Sequence, residues 1–250
     1  MIDLHCHILP AVDDGPASID EALEQAAEHV RLGITTLAAT SHVSFEYPTD
    51  QGLAADLTVQ LGEALDDAGI PLKLLRGAEI APTELDRFDR DGLAAMTLGG
   101  GGCLLVECPF STATGILEPT VRRLRSFGFE VLLAHPERCP GFVSDPRSLE
   151  PIVEAGAMVQ VTAASLSGTF GQTVRKAAMH FARAGLIDVV ASDAHDPHHR
   201  APGLVEHLEA AGLAAMSEHW CIAAPQAILA GDPLPAPLRS DDIRRRRRGK

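Results

Sequence analysis

Six short apolar runs in this 250-residue chain end in side chains able to hold a metal ion. The endings are Asp3-Leu4-His5-Cys6-His7, Thr40-Ser41-His42, Gly77-Ala78-Glu79, Leu105-Val106-Glu107, Leu133-Ala134-His135 and Ala191-Ser192-Asp193-Ala194-His195. With Asp14 the set becomes His5, His7, Asp14, His42, Glu79, Glu107, His135, Asp193 and His195. Five imidazoles and four carboxylates suit borderline-to-hard divalent cations such as Mn²⁺, Fe²⁺ or Zn²⁺. His5 and His7 are two residues apart, as are Asp193 and His195, so an extended backbone turns each pair to one side. Cys6, between the two histidines, then points away as a structural residue.

Nine ligands exceed what one ion uses and fit two or three ions that share carboxylates. Three divalent ions against four carboxylates leave about two positive charges, a match for a phosphate dianion. Close metal ions clamp a phosphoryl group and lower the pKa of a bridging water. Attack of a metal-bridged hydroxide on a phosphate monoester is therefore the expected chemistry. Arg138, three residues after His135, and Arg200, five after His195, fall where a guanidinium holds phosphate oxygens bidentately. A cysteine phosphatase is excluded by spacing. The residues six after the five cysteines are Val12, Pro109, Thr114, Asp145 and Ala227, so no Cys-x5-Arg loop exists. No Gly-x-Ser-x-Gly elbow and no Walker-type loop occurs either.

Alternating helices and strands must position these residues. Ser18-Ile19-Asp20-Glu21 is a capping signature that opens a helix, stopped by Gly33, and Ile34–Ala39 then reads as a buried strand. A helix over about 50–68 precedes Leu72–Leu75. Gly99–Gly102 reads as a turn before the strand Cys103–Val106, since it lacks the strand-to-helix setting of a phosphate loop. Helices over 116–126, 146–155 and 171–184 alternate with strands 130–134, 157–162 and 187–191, and helical patterns over 201–211 and 225–230 follow. Seven strands with intervening helices predict an α/β fold, a parallel sheet curled into a barrel with the site at its C-terminal rim. Residues 1–234 are expected to form one domain, followed by a Pro-rich, then Arg-rich, disordered tail over 235–250.

Composition narrows the class. The chain is 46% hydrophobic and 22% charged, as soluble globular proteins are, and no apolar run nears a membrane span of roughly 18 residues. Of 21 Lys and Arg, six lie in Arg244–Lys250, so residues 1–243 carry 15 against 34 acidic residues, a formal −19. So acidic a body argues against nucleic-acid binding. Five cysteines without a CxxC pair give no disulfide framework. With His5 already a ligand, no cleavable leader is expected, and the cytoplasm is the expected compartment.

The opening Met1-Ile2-Asp3-Leu4-His5-Cys6-His7-Ile8-Leu9-Pro10, with Val12-Asp13-Asp14-Gly15-Pro16, resembles the polymerase-and-histidinol-phosphatase (PHP) superfamily. Within it the chain is similar to the bacterial manganese-dependent tyrosine-protein phosphatases of capsule and exopolysaccharide loci. His135-Pro136-Glu137-Arg138 and Gln160–Leu166, with Gly168, Phe170 and Gly171, carry the same resemblance, which runs to about residue 232. It implies a distorted seven-stranded (β/α)7 barrel and three divalent ions, Mn²⁺ before Fe²⁺ or Zn²⁺. His5, His7, Glu79 and Asp193 would hold one ion; Glu79, Glu107 and His135 a second; Asp14, His42 and His195 the third. Arg138 and Arg200 take the phosphate-contacting positions, and the substrate is the phosphotyrosine tail of a tyrosine autokinase. Ala164 stands where the family has Gly, Thr169 where it often has Arg, and Ala224 where Asn is common. A small-molecule phosphatase such as a histidinol phosphatase, or a non-catalytic PHP module, is the alternative.

Overall fold

The protein is described by a computed structural model over residues 1–238. Its strands are β1 (Ile2–Cys6), β2 (Thr36–Ala39), β3 (His42–Val43), β4 (Lys73–Arg76), β5 (Glu79–Ile80), β6 (Cys103–Glu107), β7 (Glu130–Ala134), β8 (Ala157–Thr162) and β9 (Val189–Ala191). All seven strand pairings are parallel. Parallel strands are covered on both faces and so read as continuous apolar runs, which Cys103–Val106 and Val131–Ala134 supply.

Two sheets result, in the orders β1-β2-β4 and β3-β5-β6-β7-β8-β9. Only Thr40 and Ser41 separate β2 from β3, and only Gly77 and Ala78 separate β4 from β5. Two of the seven expected strands are thus broken just before their ligand-type residues, His42 and Glu79. Across the remaining gap His7 N donates to Ala194 O (2.8 Å) and Asp193 N to His5 O (2.9 Å), beside an isolated parallel bridge of Cys6 with Ala194. These few bonds join β1 to the segment after β9, so the barrel is not closed as one continuous sheet.

Period-two alternation divides the core. Cys103, Leu105, Leu132, Ala134 and Val189 meet Ile2 and Leu4 in a smaller inner cluster, while Leu104, Val106, Val131, Leu133 and Val159 join the larger cluster. Continued upward, Cys103-Leu105-Glu107 brings Glu107 to the rim above the inner cluster. The β1–β2 register shifts between Asp3 and Cys6. Leu4 joins the inner cluster while its neighbour His5 reaches Gln160 on β8, a re-aiming typical of a bulge.

The helices follow their sequence signals. Ser18 Oγ accepts from Glu21 N (3.3 Å) to open Ile19–Arg31, and Asp50 Oδ1 accepts from Leu53 N (2.8 Å) to open Gln51–Asp67. The glycine run is a turn, as expected: a Cβ on Gly101 would lie 2.6 Å from Leu229 O, so that position requires glycine. The expected helix 146–155 is instead a 3-10 turn, Pro146–Leu149, followed by Glu150–Glu154, because Pro151 lacks the N–H a continuous helix needs. A helix at Ala163–Ser167, ended by Gly168 at φ +99°, was not expected from sequence. Within the predicted tail, Leu238 is buried in the larger cluster; the Arg-rich segment lies outside the described residues.

Candidate metal centre

Parallel register brings the strand ends together. His42 pairs laterally with Glu79, Glu79 with Leu105, and Glu107 with Ala134, next to His135. All nine sequence-predicted ligands enter one contiguous cluster. Glu79 is its hub: Oε2 lies 3.3 Å from His5 Nε2, 3.3 Å from His7 Nε2 and 3.1 Å from His42 Nδ1, while Oε1 lies 2.7 Å from His135 Nε2. Asp193 is a second hub, with Oδ1 at 3.4 Å from His5 Nε2 and Oδ2 bound to both Arg138 and Arg200. Asp14 Oδ1 lies 3.2 Å from His195 Nε2 and 3.5 Å from His42 Nε2.

Four groupings bring ligand atoms within 4.8 Å of one another: His7-Asp14-His42-His195, His5-His7-Asp193, His5-Glu79-His135 and His42-Glu79-Glu107. The first contains the implied Asp14, His42 and His195 together with His7, and the second contains His5, His7 and Asp193 without Glu79. Glu107, however, groups with Glu79 and His42, while His135 groups with Glu79 and His5. The backbone explains the second: His135 has φ +36°, which turns its ring toward His5, with centroids 5.5 Å apart. Asp193 is also left-handed, at φ +53°. Non-glycine residues adopt this region rarely and at a cost, and here two ligand-type residues do so.

The donor set suits cations. Glu79 Oε2, His42 Nδ1, His135 Nδ1 and His195 Nε2 are buried and have no hydrogen-bond partner among the described residues. Lone pairs concentrated in this way are what divalent ions neutralise. Burial, then Glu79, pushes the Glu107 carboxyl up to about 8. Burial would lower His7, but the Asp13 and Glu79 carboxylates outweigh it and raise it to about 10. Burial opposes ionisation of Asp193, yet His5 and the two guanidiniums hold its pKa below the usual carboxylate range.

Several residues to which sequence reasoning gave no role orient this set. Asp13 Oδ2 accepts from His7 Nδ1 (2.8 Å) and His42 N (2.9 Å), and Gln160 Oε1 lies 2.9 Å from His5 Nδ1. Such partners fix ring orientation and tautomer. The available signal for Gln160 is a polar residue inside an apolar strand, where burial demands a partner. Asp196 takes His198 N, His199 N and Arg200 N on its carboxylate, and this turn sets Arg200. Arg138 lies over Phe110 (5.2 Å) and Phe170 (4.9 Å). Cys6 Sγ faces Ala194 O and Gln25, away from the ligand groupings, in the structural role expected of it. His198 is exposed beside Glu24.

A cleft of about 470 Å³ opens on the cluster, lined among others by Asp14, His42, Glu79, Glu107, Arg138 and Arg200. No helix among the described residues is long and apolar enough to cross a membrane. The chain is 36% identical over 200 residues to a tyrosine-protein phosphatase of Bacillus subtilis, covering 78% of each chain. It is 29% identical over 212 residues to one of Streptococcus pneumoniae, covering 81% of this chain and 86% of that one. A solved structure described as a metal-dependent tyrosine phosphatase, from work on the Bacillus subtilis and Streptococcus pneumoniae proteins, superposes with a TM-score of 0.81 at 30% identity, covering 96% of this chain and all of the other. A lactonase from Listeria monocytogenes shares the fold alone, with a TM-score of 0.50 at 12% identity over 98% of this chain and 90% of that one. The family model for capsular polysaccharide synthesis proteins CpsB/CapC matches residues 1–218, and the chain belongs to that family.

Proposed function

We propose that this chain is a metal-dependent phosphomonoesterase that hydrolyses phosphotyrosine on a bacterial tyrosine kinase of capsule or exopolysaccharide assembly. The observation that carries this is the convergence of nine ligand-type side chains on Glu79 and Asp193, with two guanidiniums at the same cleft. The similar proteins named tyrosine-protein phosphatases support the phosphotyrosine assignment. Three divalent ions, Mn²⁺ first, are assigned to the cluster. His5, His7 and Asp193 would share Glu79 around one. Asp14, His42 and His195 would hold another, and Glu107 and His135, both lining the cleft with Glu79, the third. Residues 1–234 are the catalytic unit in this reading, and the cytoplasm is its compartment.

Bound divalent ions would supply Lewis acidity toward phosphoryl oxygens and toward an attacking water. The chain's own residues do the rest. Glu79 and Asp193 hold the imidazoles in one compact array, and Asp13 and Gln160 fix the rings from behind. Arg138 and Arg200, both tied to Asp193 Oδ2, line the cleft. A guanidinium at this position can hold phosphate oxygens bidentately. A phenolate leaves with a pKa of about 10, so it needs less protonation than an alkoxide.

The test is phosphate release by manganese-loaded protein from a phosphotyrosine peptide, a phosphoserine peptide and histidinol phosphate, with His5→Ala as control. Preference for the phosphotyrosine peptide, lost in the variant and on chelation, is expected. Preference for histidinol phosphate moves the protein to the small-molecule branch, and chelator-insensitive turnover overturns the metal assignment.

A further inference from the structure

Among the described residues Phe45 is the most exposed large apolar side chain, at 89%, and Phe110 is 57% exposed. Both line the cleft over the metal centre, from the loops after β3 and β6. Phe45 sits at the tip of an ordered turn: Ser44 N donates to Tyr47 O (3.0 Å), Tyr47 N to Ser44 Oγ (3.1 Å), and Val43 bridges Pro48. Phe110 stacks near His135 (centroids 5.6 Å, planes 28° apart) and lies under the Arg138 guanidinium. Tyr47, in the same turn as Phe45, stacks on His42 at 5.5 Å with planes 12° apart. A phenyl ring held in water at the mouth of a charged cleft contributes nothing to the core, where its burial would stabilise the fold.

We propose that Phe45 and Phe110 form an aromatic clamp that receives the aryl group of the substrate and sets preference for aryl over alkyl phosphate esters. The proposal rests on the phosphatase reading above. With phosphate held at Arg138 and Arg200, the organic group of the ester faces the cleft mouth, where these rings stand. An aryl ring there makes offset or edge-to-face contacts with phenyl partners. The single methylene of a serine ester offers neither the ring nor the reach.

Phenylphosphonate and methylphosphonate bind without being hydrolysed, so their affinities for the manganese-loaded protein test the clamp independently of turnover. By calorimetry, the ratio of phenyl to methyl affinity is expected to fall about 3–10-fold in Phe45→Ala and in Phe110→Leu, and to be retained in Phe45→Tyr. Reading the ratio removes any general effect of Phe110 on Arg138. An unchanged ratio in Phe45→Ala overturns the clamp, as does a loss in Phe45→Tyr equal to that in Phe45→Ala. Failure of the phosphatase reading shows separately, as wild-type protein that releases no phosphate from the phosphotyrosine peptide.

Discussion

Asp13 does not itself line the cleft, yet its carboxylate accepts from the His7 ring and from the backbone N–H of His42, residues on two separate strand ends. Removing it frees the His7 ring to rotate and unpins His42 at once. Losing such an outer partner weakens metal binding about 10–100-fold in comparable sites. Asp13→Ala is therefore expected to lower Mn²⁺ affinity by about that factor, measured by metal titration, while circular dichroism stays that of the wild type. Gln160 serves His5 in the same way from β8. Neither residue's partner is named by the sequence: Asp13 reads as a neighbour of Asp14, and Gln160 only as a polar residue inside an apolar strand. The ligand-type residues themselves were legible because they recur at strand ends. Their supports come from wherever the fold happens to pass, so spacing says nothing of them.

At the scale of elements, β9 is the short closing strand, and Asp188 stands just before it, 29 residues after its partner Val159 on β8. Its Oδ2 accepts from Val159 N (2.8 Å), but burial dominates and raises its pKa from 3.8 to about 6. A raised folded-state pKa means the folded protein takes up a proton that the unfolded chain releases between those values. Stability from this group is thus fully present below pH 3.8 and lost as pH rises through about 6. Asp188→Asn keeps an oxygen acceptor and removes the ionisation. It is expected to flatten the dependence of urea-unfolding stability on pH between about 4 and 6; a curve identical to wild type would refute the assignment. The alternation of helix and strand was legible here because apolar periods of 2 and 3.6 are local. The breaks at Thr40-Ser41 and Gly77-Ala78, just before His42 and Glu79, were not, since pairing depends on neighbouring strands far away in the sequence.

Over the whole molecule, residues 1–243 carry a formal −19, and part of that charge is concentrated where Asp13, Asp14, Glu79, Glu107 and Asp193 face one cluster. Burial first, and then repulsion from Glu79, raise the Glu107 carboxyl, so gathering these carboxylates in the folded state opposes folding. Divalent ions held by the folded array and not by the unfolded chain would stabilise by mass action, about 2.7 kcal/mol at a hundred times Kd. Chelation is accordingly expected to lower Tm by several degrees, with restoration by Mn²⁺ but not by Na⁺ at equal ionic strength, followed by differential scanning fluorimetry. A Tm indifferent to chelator would argue that the cluster binds no structural charge of this kind.

The sequence by itself determined the ligand types, their place at strand ends and the α/β class. Those follow from residue chemistry and local periodicity, which need no partner to be read. Only the tertiary structure decided which ligands meet. Glu107 joins His42 and Glu79, while His135 turns toward His5, because a left-handed backbone and lateral strand register fix directions that spacing cannot encode. It also decided that Phe45 and Phe110, far apart in the chain, line one mouth. Parallel pairing of β3 and β6 with β5 between them brings the loops after both to the same rim, and no local pattern in either loop carries that information.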